Sequence, residues 1–190
     1  MGMASTSRRT AQDWVDAAYA RFRDEGFDGL RVEALARDLG ATKGSFYWHF
    51  ADRAALVAAV MQRWEHEETD VFIEQADLAP DPRTRLEVLF GAVGSRQMPG
   101  EHRLYADAVA EGVGPVVKRV TARRVGYVAD ALIELGHDPD EARRRAVAAV
   151  AVVLGLEQLR RGGAGAVFGA ARPLRETVLR VLLEPGASAS

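Results

Sequence analysis

Within positions 42–49 the chain gathers Thr42, Lys43, Ser45, Tyr47, Trp48 and His49 around one glycine, Gly44. Hydroxyl, ammonium, phenol and imidazole groups at this density are donors for anionic oxygens, and Thr42, Ser45, Tyr47 and His49 are suited to phosphates. Lys43 can donate to guanine O6 and N7, and the Trp48 indole offers apolar surface to thymine methyls. Gly44 and Ser45 are small enough for a close approach. Three adjacent large residues, Tyr47, Trp48 and His49, cannot all face inward on one helix. The segment therefore reads as a surface for a DNA groove rather than as an aromatic core.

The elements that must hold this surface are legible on either side. Val32, Leu35, Ala36 and Leu39 recur at the i, i+3, i+4, i+7 spacing of an amphipathic helix. Gly40 follows as a left-handed stop. Thr42 opens a second helix as N-cap, and Phe46 and Phe50, four apart, anchor it to the first. At about 100° per residue, Gly44, Ser45 and Trp48 lie opposite Phe46. Glu33 suits the positive end of the first of these helices and could accept from a cytosine amine. Upstream, a helix is expected from Thr10 to Glu25, with Thr10 as cap, Asp13 three residues on, Trp14, Ala18 and Phe22 buried, and Gly26 as its stop.

The stretch Thr42-Lys-Gly-Ser-Phe-Tyr-Trp-His-Phe50-Ala-Asp-Arg-Ala-Ala-Leu56, with Trp14-Val-Asp-Ala-Ala-Tyr-Ala-Arg-Phe22 and Gly26-Phe27 before it, resembles the hallmark of the TetR family of transcriptional regulators. The likeness is dense over roughly residues 10 to 60; beyond residue 65 only the helical layout resembles the family. It implies base approach by Lys43, Gly44, Tyr47 and Trp48, and phosphate contacts by Thr42, Ser45, Tyr47 and His49. Arg53, early in a fourth helix, matches a basic position that holds backbone phosphate. Where the family has Ser or Thr capping its second helix, this chain has Leu30-Arg31-Val32, so Arg31 is the phosphate candidate there. Arg8 and Arg9 are candidates for a flanking minor groove.

An all-α chain of about nine helices is expected: a three-helix helix-turn-helix DNA-binding domain over residues 1–54 and a ligand-sensing and dimerisation domain over 55–190. Asp52 caps the fourth helix, which carries Leu56, Val57, Val60, Met61 and Trp64, can extend past Phe72, and links the two parts. Ala79-Pro80-Asp81-Pro82 breaks the chain. Helices follow over about 82–97, 101–110, 115–135, 139–161 and 171–183, separated by glycine- and proline-bearing joints. The helix after Pro139 is apolar on nearly every side (Val147, Val150, Leu154 among others) and must be covered all round. The resemblance implies a four-helix interface formed with a twin chain, with Val147, Val150, Leu154, Val178 and Leu182 as its residues; a core helix of a monomer is the plain alternative. It also implies a small apolar ligand between the middle helices, for which Trp64, Phe72, Phe90, Met98, Leu104, Tyr105, Tyr127 and Gln158 are candidates, though each would equally serve an ordinary core.

Composition agrees and adds a constraint. The chain has 190 residues, 48% hydrophobic, with no cysteine and a formal net charge of −2. No disulfide, thiolate nucleophile or cysteine-held metal is available, and no cofactor is expected. Neither a membrane-spanning run nor a signal segment stands out, so a cytoplasmic protein is expected. Residues 1–53 hold eight Lys/Arg and eight Asp/Glu, a difference of zero, which rules out a nonspecific polycation and leaves charge placement to do the work. No nucleophile–base constellation is evident, so an enzyme is not expected. Two function classes remain: a dimeric, ligand-responsive repressor on a palindromic double-stranded operator, and an all-helical small-molecule-binding module or enzyme without DNA binding.

Overall fold

The computed structural model describes residues 9–92, 103–159, 163, 167 and 171–184, with no side-chain account of 157 or 171–175. Every regular element among them is helical: α1 Ala11–Glu25, α2 Val32–Asp38, α3 Lys43–Phe46, α4 Arg53–Glu65, α5 Val71–Asp77, α6 Pro82–Ala92, α7 Leu104–Asp107, α8 Gly114–Glu134, α9 Pro139–Leu159 and α10 Ala171–Leu183, with a 3-10 turn at Gly26–Gly29. A π-helical turn, His66–Asp70, runs α4 into α5. With α4, the π turn and α5 counted as one continuous helical stretch, the described helices number the expected nine.

The backbone divides into two compact units, Met1–Trp64 with Met98–Gly114, and Glu65–Gln97 with Pro115–Ser190. The first unit follows its local signals closely. Thr10 caps α1 by accepting from the Asp13 N–H, while the Asp13 carboxylate accepts from the Thr10 N–H at 2.7 Å, a reciprocal capping box. That pairing holds the Asp13 carboxyl below its ordinary range. Trp14, Ala18 and Phe22 are fully buried, as their four-residue spacing predicts. Gly26 ends the helix at φ 67°, ψ −150°, a conformation open in practice to glycine alone. The segment Leu104–Val113 belongs to this unit too, although 38 residues separate it from α4; Arg103 pairs with Asp28 at 2.7 Å.

In the second unit, Leu86 and Phe90 of α6, Val125, Val128 and Leu132 of α8, Ala142, Ala146 and Ala149 of α9, and Leu182 of α10 form one core. The π turn packs in this unit. Opening the helical ladder by one residue leaves a carbonyl without its usual partner. The Arg124 guanidinium donates to the Glu68 carbonyl and to the buried Thr69 hydroxyl, each at 2.9 Å. Arg119 and Arg123 pair with Glu65 and Asp70 on either flank.

Two expectations are revised. The reading helix is shorter than its pattern implied: only Lys43–Phe46 is helical, and Tyr47 to His49 form a turn. Of the element expected over 101–110, the described residues are α-helical at Leu104–Asp107 and turn at 108–110. Within this chain α9 is not covered all round, and its remaining cover was expected from a twin: the alanines at 142, 146 and 149 face the core, while Val147 is 49% and Val152 43% exposed.

Candidate nucleic-acid interface

Phe46 is the pillar of the site. It is fully buried, with its ring edge-on to Trp14 at 5.3 Å and stacked on Phe50 at 5.4 Å. The buried aromatic group fixes the height and rotation of α3 on α1. Thr42 caps α3, its hydroxyl accepting from the Ser45 N–H at 3.2 Å, while Ser45 Oγ donates to the Thr42 carbonyl at 2.8 Å. The backbone then winds through single turns, His49 N–H to the Phe46 carbonyl at 2.9 Å and Phe50 N–H to the same carbonyl at 3.0 Å. Two N–H groups on one carbonyl mark the tightening that ends the helix.

This short turn throws its large residues outward. Tyr47 is 54% exposed and Trp48 77% exposed; Tyr47 stands edge-on to Phe46 at 5.2 Å. Thr42, Lys43 and Gly44 are exposed beside them, with Ser45 and His49 half-buried. An indole left this open to water buries little of its surface on folding, which fits a contact surface better than a core. Gly40, at φ 59°, provides the left-handed stop between α2 and α3. Arg31 stands exposed at the start of α2 and makes no side-chain cap there.

The charges of this face are held largely by the chain itself. Lys43 Nζ lies 2.5 Å from Glu33 Oε1. This hydrogen bond raises the lysine's pKa and holds the Glu33 carboxyl below its usual range. Arg21 bridges Asp38 at 2.6 Å and Glu25 at 2.9 Å. Arg9 Nε donates to the Leu39 carbonyl at 2.8 Å, at the end of α2. Arg8 lies outside the described residues.

Arg53 stands apart from the rest. Its Nε donates to the Leu30 carbonyl at 2.9 Å, one Nη to the Phe27 carbonyl at 3.0 Å, and the other to Glu111 at 2.7 Å. Its donors thus serve the loop between α1 and α2 and the segment after α7. Nothing local in the sequence announces this, because both acceptors and Glu111 are distant in the chain. The Glu33–Lys43 pair was likewise missed, although opposite charges on the first turns of adjoining helices are a readable signal.

The ligand candidates fall in both units. Trp64 and Leu104 are fully buried in the first, with Tyr105 half-buried there. In the second, Phe90 belongs to the core, Phe72 is buried, Gln158 is exposed on α9, and the Tyr127 hydroxyl donates to Asp77 at 2.7 Å. Burial and that hydrogen bond push the Tyr127 phenol well above its ordinary range. Met98 lies outside the described residues. Among the interface candidates, Val147 is exposed, Val150, Leu154 and Val178 are half-buried, and Leu182 lies in the chain's own core. Among the described residues no helix is long and apolar enough to cross a membrane, and no group of three or more His, Cys, Asp or Glu could hold a metal ion.

Comparison with known proteins follows the same outline. The family described as bacterial regulatory proteins, tetR family, matches residues 15–60. The regulator AcrR of Shigella flexneri is 27% identical over 105 residues, which is 54% of this chain and 49% of that protein. TtgW of Pseudomonas putida, an HTH-type transcriptional regulator by name, is 32% identical over 63 residues, 33% of this chain and 47% of its own. The chain thus spans about half the length of these relatives. In three dimensions it superposes on a TetR transcriptional regulator of Legionella pneumophila with a TM-score of 0.73 at 16% identity, covering 96% of this chain and 97% of the other, a likeness of fold. The chain thus carries, at residues 15–60, a module that matches the TetR family of bacterial regulatory proteins, within a fold like that of the Legionella regulator over nearly its whole length.

Proposed function

We propose that the chain is a cytoplasmic, dimeric transcriptional repressor that reads a palindromic DNA operator and leaves it when a small apolar molecule binds. The observation that carries the DNA reading is the outward set of Tyr47, Trp48, Lys43 and Thr42 on a helix held in place by Phe46. Gly44 and Ser45 permit close approach, and Ser45, His49 and Arg31 supply donors at the margin. Arg53, with its donors on Phe27, Leu30 and Glu111, enters as a residue that positions the head rather than as a phosphate contact.

The reading assigns residues 1–54 to DNA and 55–190 to sensing and pairing. Twinning through α9 and α10 would set two reading helices about 34–36 Å apart, one turn of DNA. It would also double the phosphate contacts of a head with no excess positive charge. Exposed Val147 and Val152 beside half-buried Val150 and Leu154 support α9 as the pairing surface. Trp64, Phe72, Phe90, Met98, Leu104, Tyr105, Tyr127 and Gln158 remain the ligand candidates.

A gel-shift titration with DNA flanking the protein's own gene tests the reading, against random-sequence competitor at moderate salt. Tight, competitor-resistant binding by the parent and its loss in Tyr47→Ala are expected. Equal affinity for specific and random DNA would remove the assignment.

A further inference from the structure

Glu33 is the second residue of α2 and Lys43 the first of α3, and their charged atoms meet at 2.5 Å with the side chains 66% and 55% exposed. An ion pair this open to water adds little to a fold. Stability therefore does not account for a carboxylate on the reading face. In a groove walled by phosphates that carboxylate is repelled and loses its water, a cost met only by a donor.

The donor can be Lys43 or a base. A carboxylate only accepts hydrogen bonds. Adenine offers its N6 amine beside the N7 acceptor, which repels a carboxylate, whereas cytosine N4 is a donor with no acceptor beside it in the groove. Lys43, released from Glu33, is free for guanine O6 and N7. An acceptor and a donor side by side on the protein are the complement of one G·C pair seen from the major groove.

On the DNA-binding reading above, we propose that Glu33 is a specificity-determining residue. Together with Lys43 it selects a G·C pair in each half-site and penalises sequences that offer the carboxylate no amine. The discrimination is by exclusion as much as by attraction.

The test is selection from a randomised double-stranded DNA library with the full chain and with Glu33→Ala and Glu33→Gln. Circular dichroism confirms that the exposed substitutions leave the fold intact. The parent is expected to enrich a G·C pair at one position per half-site. Glu33→Ala is expected to lose that preference by roughly tenfold, and Glu33→Gln to move it toward adenine, which an amide reads through N6 and N7. Both variants free Lys43, so affinity for random DNA rises and its logarithm falls more steeply with log salt, by about one in slope. The same motif from all three proteins overturns the proposal, whatever the slope. A parent that enriches no motif overturns the DNA-binding reading itself.

Discussion

Replacing Arg53 with alanine is the sharpest test of how the head is held. The guanidinium donates to two backbone carbonyls and a carboxylate, at 2.9, 3.0 and 2.7 Å. A hydrogen bond from a charged donor contributes about 1.5–3 kcal/mol, less where water can replace it. The Arg53 side chain is 39% exposed and that of Glu111 22%, so we take about 1 kcal/mol for each bond. The sum, about 3 kcal/mol, lowers the melting temperature of a chain this size by about 6–12 °C. Arg53→Lys cannot span three acceptors and is expected to recover less than half. Glu111→Gln keeps an acceptor but removes the charge from one bond and is expected to cost less than a third as much. In a salt titration of operator binding, Arg53→Ala should bind more weakly with an unchanged slope, since no phosphate contact is lost. A variant that melts like the parent yet loses about one unit of slope would refute this and return Arg53 to the phosphate backbone.

Phe46→Ala removes a fully buried ring between Trp14 and Phe50 and is expected to cost about 3–5 kcal/mol, read by urea denaturation, with operator binding lost alongside. Val147→Asp places a charge on the exposed face of α9; light scattering should report a monomer with unchanged helicity. The Glu65 carboxyl is held below its usual range by its hydrogen bond to Arg119. Its folded pKa is depressed, so the stability it adds is present above the unfolded carboxylate value and lost as the pH falls through the folded one. Arg119→Gln should flatten that part of the acid limb in melts run between about pH 5 and pH 3.

Much of the first unit was legible because its rules are local. Thr10 with Asp13, the four-residue spacing of Trp14, Ala18 and Phe22, and Gly26 and Gly40 as stops each act within one or two helical turns. The outward display of Tyr47 and Trp48 followed from crowding alone, although the end of α3 at Phe46 did not: two N–H groups share the Phe46 carbonyl, and no propensity announces it. What escaped reading depends on distant partners. Arg53 is read as a phosphate residue from its place in a motif, and its bonds to Phe27, Leu30 and Glu111 are not visible in the sequence. The π turn at His66–Asp70 lies in a sequence indistinguishable from an ordinary exposed helix, and its support comes from Arg124, more than fifty residues on. Within the chain itself one stripe of alanines suffices to seat α9, and exposed Val147 is among the residues expected at a partner surface.

The self-paired charges of the head bear on how such a protein would search a chromosome. Arg21 is engaged by Asp38 and Glu25, and Lys43 by Glu33. A strongly cationic protein is soaked up by the vast excess of irrelevant duplex in a cell, where competing sites number about a million or more. A head with some of its cations already held by carboxylates would slip off such sites more quickly. On the proposed DNA-binding reading, more copies would then stay unattached and ready to find their target.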